Sequence, residues 1–115
     1  MTVYVDDMKA NFGRMKMCHM VADTREELLA MADTIGVQRK WLQYPGTWKE
    51  HFDIALTKRA KAVQAGAVEI EAQQLVSMLR RKQITGSPGL GSPEDAIEWY
   101  LAYGEQQRAA QQVAP

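Results

Sequence analysis

Glu50-His51-Phe52-Asp53-Ile54-Ala55-Leu56-Thr57-Lys58-Arg59 is the stretch whose reading decides the fold. Phe52, Ile54 and Leu56 alternate with His51, Asp53 and Ala55, the two-residue period of a half-buried strand. On such a strand His51 and Asp53 project from one face, about 7 Å apart along the backbone. Thr57 then predicts a helix N-cap, with Lys58 and Arg59 in the first turn behind it. One segment thus sets a carboxylate, an imidazole and two cations around the end of a strand, which marks it as a candidate site.

Upstream, Tyr44-Pro45-Gly46-Thr47 reads as a turn with Pro-Gly at its central positions. Residues 37–43 predict a strand with Trp41 as its large packing residue, and core is the reading preferred for that indole. Before it, Thr24 and Glu27 form a capping box, Leu28, Met31, Ala32 and Ile35 follow at helical spacing, and Gly36 supplies a left-handed stop. Residues 2–5 are β-branched and aromatic, hence a first strand ending in Asp6-Asp7. Residues 8–14 predict a loop or short helical turn, leading to a second strand at 15–22 that is apolar on both faces apart from Lys16 and His19 and so central in the sheet.

Downstream, a helix at about 57–66 stops at Gly66, Ala67-Val68-Glu69-Ile70 alternates as a short strand, and a helix at about 71–83 ends in Arg80-Arg81-Lys82, where cations favour the helix dipole. Residues 84–91 have the composition of a linker. Ser92-Pro93-Glu94-Asp95 starts a last helix at about 92–104, with Pro93 at its first position. The Gln- and Ala-rich tail from Glu105 is expected to fray. The sum is a single α+β (or α/β) domain: a four- to five-stranded mixed sheet with three helices over residues 1–85, then linker, C-terminal helix and tail over 86–115. That last helix either folds back on its own domain or docks on a second copy.

The 115-residue chain suits one core and is 46% hydrophobic and 24% charged, as soluble globular proteins are. Its fourteen basic and fourteen acidic residues cancel, so general nucleic-acid binding is not expected and a second copy meets no net repulsion. The lone Cys18 cannot pair within the chain and fits a reducing compartment. It reads as a buried strand thiol rather than a nucleophile. The opening Thr2-Val3-Tyr4-Val5 has no signal-peptide character, and no apolar run approaches the roughly 18 residues of a membrane span. A cytoplasmic protein without a membrane partner is expected.

The two halves echo each other. His19 is followed by Thr24-Arg25, a helix and Gly36-Val37, and His51 by Thr57-Lys58, a helix and Gly66-Ala67. The echo predicts two β-α-β units with parallel, right-handed crossovers and equivalent places for the two histidines. Paired imidazoles can act as general base and general acid on a phosphodiester, with Lys58, Arg59 or helix amides holding the phosphate. Two-histidine phosphoesterases repeat histidine, apolar, threonine or serine, apolar on each of two strands, and this chain resembles them loosely. Val21 and Asp53 stand where the hydroxyl residues would be. A second reading is a divalent metal site from His51 and Asp53 with the Asp6-Asp7 pair and His19, a donor set suited to zinc, manganese or iron. A third is binding without turnover, with Trp41, Tyr44 and Trp48 stacking a base and Lys58, Arg59 and Arg14 as cations. The bland alternative makes His19 a core histidine bonded to a carboxylate and pairs His51 with Asp53.

The chain resembles a domain-of-unknown-function family of small bacterial and bacteriophage proteins. The resemblance rests on Val3-Tyr4-Val5-Asp6-Asp7-Met8, Phe12-Gly13-Arg14, Met17-Cys18-His19-Met20-Val21-Ala22-Asp23-Thr24, Pro45-Gly46-Thr47, His51-Phe52-Asp53-Ile54 and Gly66-Ala67-Val68-Glu69-Ile70, and it spans residues 2–85. It implies a bacterial or phage-infected cytoplasm and carries no activity with it. In that family a second histidine often stands two positions before the one in the histidine-aromatic-aspartate motif. Here Lys49 occupies that place, which by the resemblance favours the readings without a metal. The leading expectation is a small cytosolic protein that binds, with hydrolysis as an option, a phosphorylated or nucleotide ligand in a pocket around His19, His51, Asp53, Lys58 and Arg59, forming a homodimer or higher oligomer and needing no cofactor, a divalent metal aside. The alternative is a non-catalytic phage or host interaction protein acting through its C-terminal helix.

Overall fold

The computed structural model describes residues 2–113 and shows an α+β domain. In chain order it comprises β1 (Val3–Val5), β2 (Ala10–Phe12), β3 (Met15–Ala22), α1 (Arg25–Ile35), β4 (Phe52–Ala55), α2 (Leu56–Gln64), β5 (Val68–Glu69), α3 (Ala72–Thr85) and α4 (Ala96–Val113). The five strands form one mixed sheet organised around β3. β1 and β2 pair antiparallel with the two ends of β3, Ala22 to Met20 and Met17 to Met15. β4 pairs antiparallel with the middle of β3, from Met17↔Ala55 to Met20↔Phe52. β5 adds in parallel beside β1.

Strand parity then sorts the side chains. Val3, Val5, Cys18, Met20, Ala22, Phe52 and Ile54 turn to one face and pack with Leu28, Ala32 and Ile35 of α1 and Ala62 of α2. Tyr4 and Val21 turn to the other, where Leu75 and Met78 of α3, Leu90 and Ala96 close a second cluster. The second cover reaches only the Val21 end of that face. Further along β3 the same face carries His19, with Asp53 as its register partner on β4.

Thr24 caps α1 as the sequence predicts, its Oγ1 accepting the Glu27 N–H at 3.2 Å, but the reciprocal half of the capping box does not form, since Glu27 Oε1 accepts from the Thr24 hydroxyl at 2.9 Å; Gly36 closes the helix at φ 80°. Other expectations are corrected. Residues 37–43 are not a strand. Arg39–Trp41 is a 3₁₀ turn, and only Gln43 reaches the sheet, through a bridge to His51. Arg39 clasps Asp33 of α1 at 2.7 and 3.1 Å, folding the segment back on the helix that precedes it. Trp41 is 61% exposed rather than core. Residues 8–14 make a hairpin containing β2 instead of a loop, because pairing with Met15, Lys16 and Met17 imposes extended backbone on residues of modest β propensity.

Thr57 does not cap α2. The helix starts at Leu56 with Ala55 at the cap position, so strand passes directly into helix. The paired β-α-β units are absent: β3 and β4 are antiparallel neighbours, and the parallel pair is β1 with β5. Residues 106–113, expected to fray, are helical. α4 runs from Ala96 to Val113 with Gly104 in its interior, and the Ala- and Gln-rich stretch after it continues the helix. α4 folds back on α3 in its own domain, and the linker is pinned. Asp23 Oδ1 accepts the Leu90 N–H at 3.1 Å, while Arg81 donates to the Leu90 and Ser92 carbonyls at 3.1 and 2.6 Å. Among the described residues no helix is long and apolar enough to cross a membrane.

Candidate functional site

Three backbone features build the site. The first is the break between β1 and β2 at residues 6–9. There the Asp6 N–H donates to the His19 carbonyl at 3.1 Å, and Asp6 Oδ1 takes the His19 N–H at 2.9 Å. A buried carboxylate thus replaces the carbonyl that an unbroken strand would offer. The second is the β3–β4 register, which sets His19 beside Asp53. The third is the Gln43–His51 bridge, which puts His51 two residues before Asp53 and on the same face.

Each donor atom is aimed by a partner behind it. The His19 ring donates through Nδ1 to Asp6 Oδ2 at 2.8 Å, and the His51 ring donates through Nδ1 to the Lys49 carbonyl at 2.7 Å. A carboxylate and a carbonyl only accept, so both rings keep the Nδ1 proton, and both Nε2 atoms face Asp53 Oδ1, at 3.6 and 3.3 Å. Gln43 Nε2 donates to the other Asp53 oxygen. The imidazoles meet edge to face with centroids 5.4 Å apart, and Tyr44 stacks on His51 at 6.0 Å. Donor atoms of His19, His51 and Asp53 all lie within 4.8 Å of one another, so this trio could hold a metal ion.

The electrostatics follow from the same bonds. The hydrogen bond to Asp6 raises the His19 pKa above its ordinary value, against the opposing effect of burial and with help from the Asp6 and Asp53 charges. Burial pushes the Asp6 carboxyl up, but the bonds from the His19 ring and backbone outweigh it, so its pKa lies below the usual value. Burial drives the Cys18 thiol up to about 11. The Cys18 side chain is buried in the core cluster, on the face of the sheet opposite His19.

His19, His51 and Asp53 are therefore brought together, and the other sequence candidates go elsewhere. Asp6 stands behind His19 as its hydrogen-bond partner, while Asp7 accepts the first N–H of α3, from Ala72, at 2.8 Å. Arg59 donates to the Asp6 carbonyl at 2.8 Å and to Glu69 at 2.9 Å, which makes it a strut between α2, the strand break and β5. The Lys58 ammonium lies against Gly36 at the end of α1. Trp48 sits between Lys49 and Arg80, at 5.7 and 5.0 Å, beside a groove lined by Arg25 and Lys82 rather than beside the histidines. Arg14 is exposed in the β2–β3 turn. Tyr44 is at the site, as the stack on His51.

A cavity of about 680 Å³ opens beside the trio, with His19 and Asp53 in its wall together with Met8, Met15, Trp41 and Lys40. Sequence reasoning missed Gln43, whose role depends on a bridge between segments eight residues apart, and the Lys49 carbonyl, which is a backbone atom. It weighed Asp6 as a metal ligand, since nothing in one dimension tells a ligand from the residue that orients a ligand.

Residues 3–82 match the family described as protein of unknown function (DUF4031), and the chain belongs to that family. The match lies within residues 2–85, over which the resemblance runs. No curated protein and no solved structure matches the chain.

Proposed function

We propose that this protein binds a divalent transition metal through His19 Nε2, His51 Nε2 and Asp53 Oδ1, and uses the open coordination positions to bind a small phosphorylated ligand. The observation that carries the reading is the convergence of three donor atoms, each fixed from behind: His19 by Asp6, His51 by the Lys49 carbonyl, Asp53 by Gln43. Metal-binding histidines characteristically donate their second ring N–H to a carboxylate or carbonyl in this way. Two imidazoles and a carboxylate suit zinc, iron(II) or manganese and leave room for further ligands. Lys49, at the place of the family's second histidine, contributes its backbone carbonyl, so its side-chain change leaves the trio intact.

The bound ion would supply Lewis-acid polarisation of a phosphoryl oxygen and lower the pKa of a water molecule. The chain's own residues set the geometry. Asp6 and Lys49 keep both rings in the tautomer that exposes Nε2, and one carboxylate against a doubly charged ion leaves the centre positive towards an anion. Hydrolysis of a phosphoester is the reaction this arrangement supports. A water oxygen bonds to phosphorus, the bond to the ester oxygen breaks, and a water proton leaves with the alcohol. The lone cysteine and the family resemblance support a bacterial or phage-infected cytoplasm as the setting.

Calorimetric titration of chelator-treated protein with zinc or manganese tests the proposal. One ion per chain is expected, with binding lost in His51→Ala and Asp53→Ala variants that still fold. No binding, or binding indifferent to both substitutions, overturns it.

Self-association through α4 is a second reading, favoured by Leu101, which is 63% exposed on that helix. Light scattering of the wild type and a Leu101→Asp variant over a concentration series tests it. A monomer at every concentration discards it.

A further inference from the structure

The cavity beside the trio has a composition that the metal does not explain. Among the described residues seven large apolar side chains stand exposed, and three of them, Met8 at 42%, Met15 at 51% and Trp41 at 61%, line this one cavity. Met17 joins them in the wall. Large apolar groups gathered in a concavity mark a place where something apolar docks. Thioethers are adaptable and polarisable, and they make favourable contacts with aromatic rings. An exposed indole offers a stacking face.

The polar groups in the same wall are Asn11, Lys40, Gln43, His19 and Asp53. Asn11, on β2, brings an amide that can both donate and accept, and Lys40 is the one cation in the lining, its ammonium 5.2 Å from the centre of the Trp41 ring. His19 and Asp53 connect the wall to the candidate centre, with Gln43 behind Asp53.

Resting on the metal-centred reading above, we infer that the ligand is a nucleoside monophosphate. Its base stacks on Trp41 over the methionines with its edge towards Asn11, and its phosphate reaches the His19–His51–Asp53 centre and Lys40. The volume of about 680 Å³ matches a ligand of this size and greatly exceeds a bare phosphate. A phosphorylated sugar would satisfy the charged end and leave Trp41 and the methionines without a partner. A triphosphate would bring charges that a single lysine does not balance. Sequence alone pointed to Lys58 and Arg59 for the phosphate. Lys58 instead lies at α1 and Arg59 is paired to Glu69, so Lys40 and the centre take that part.

The test uses the full chain loaded with zinc or manganese, titrated calorimetrically with AMP, GMP, CMP, UMP, ribose 5-phosphate and inorganic phosphate. At least one nucleotide should bind about tenfold or more tightly than ribose 5-phosphate, as base stacking on an aromatic side chain implies. Trp41→Ala should erase that margin while leaving the metal titration and the affinity for inorganic phosphate unchanged. Because Trp41 is exposed, the variant should fold as the wild type does. The inference is overturned if ribose 5-phosphate binds as well as all four nucleotides, or if Trp41→Ala leaves nucleotide binding intact. Failure of the underlying reading shows separately, as absence of metal binding in the titration without nucleotide. Trp41-dependent nucleotide binding by metal-free protein would then uphold the base pocket and discard the centre.

Discussion

Asp6 grips His19 at two points, Oδ2 on the ring Nδ1–H at 2.8 Å and Oδ1 on the backbone N–H at 2.9 Å, so one buried carboxylate fixes both the strand and the imidazole it carries. Asp6→Asn keeps the shape and removes the charge. Metal affinity should fall about 10- to 100-fold, the usual cost of losing a histidine's orienting partner. The His19 pKa should drop towards that of a free histidine, because its largest raising cause is gone. Calorimetry and an NMR titration of the ring read the two effects. Unchanged affinity in a folded Asp6→Asn protein would refute the orienting role.

The same pair gives a pH dependence of definite sign. His19 has a raised pKa in the folded state, so its contribution to stability is complete below its ordinary value of 6.5 and disappears as pH rises through the raised value. Asp6 has a lowered pKa, so its contribution is complete above 3.8 and disappears as pH falls through the lowered value. Metal-free protein should therefore gain most from this pair between those two values. Metal binding runs the other way on the alkaline side, since an ion needs the His19 Nε2 lone pair. Melting curves of wild type against His19→Gln should show the wild-type advantage shrinking above neutrality in chelator and growing there in zinc. An advantage with the same pH trend in both conditions would contradict the assignment.

Tyr44 is the one non-glycine among the described residues with a positive φ, 52°, and it stacks on His51 while Lys49 Nζ lies 4.1 Å from its ring centre. A left-handed backbone costs a residue with a Cβ about 1 kcal/mol, and that strain recurs where a side chain must be held for function. Comparison of Tyr44→Gly with Tyr44→Ala isolates the backbone term: the glycine variant should be the more stable by about 1 kcal/mol in urea unfolding. Both should bind metal more weakly than the wild type, because both lose the stack. Full metal affinity in Tyr44→Gly would reduce the tyrosine to a turn residue.

Much of this was legible in one dimension and some was not, for identifiable reasons. Periodicity found β4 and the shared face of His51 and Asp53 because alternation is a property of a single strand. The Thr24 cap and Gly36 bounded α1 because those bonds are local. Register is not local. His19 pairs in register with Asp53 and meets the His51 ring on the same face because β3 and β4 run antiparallel, whereas the sequence echo pointed to parallel units. Lys58 and Arg59 sit in the predicted helix, but a helix that begins at Leu56 turns them towards Gly36 and Glu69. Trp41 is exposed because its segment turns through Arg39–Trp41 instead of extending as a strand, a turn that local alternation does not encode.

Cys18 provides a check on the core. With its pKa pushed up to about 11 by burial, the thiolate makes up about one part in a thousand at pH 8, and the thiol is enclosed as well. Iodoacetamide should leave it unlabelled in native protein and alkylate it in urea, as read by intact mass. Rapid native labelling would mean that the β3–β4 face opens.

Phe52 and Asp53 are neighbours on β4 with opposite duties, so they test the parity on which the site depends. Phe52 is fully buried against α1 and α2, and Phe52→Ala should cost about 3–5 kcal/mol through lost burial and the cavity left behind. If enough of that variant stays folded at low temperature, it should still bind metal, because nothing on the histidine face has changed. Asp53 is 37% exposed at the side chain and flanked by two imidazoles. Asp53→Ala should shift stability by less than about 1 kcal/mol, as surface changes do, and abolish metal binding. Urea unfolding and metal titration on the two variants form a crossed pair of measurements. If Asp53→Ala unfolds the protein while Phe52→Ala removes only the metal, the strand faces the opposite way, and the arrangement of His19, His51 and Asp53 falls with it.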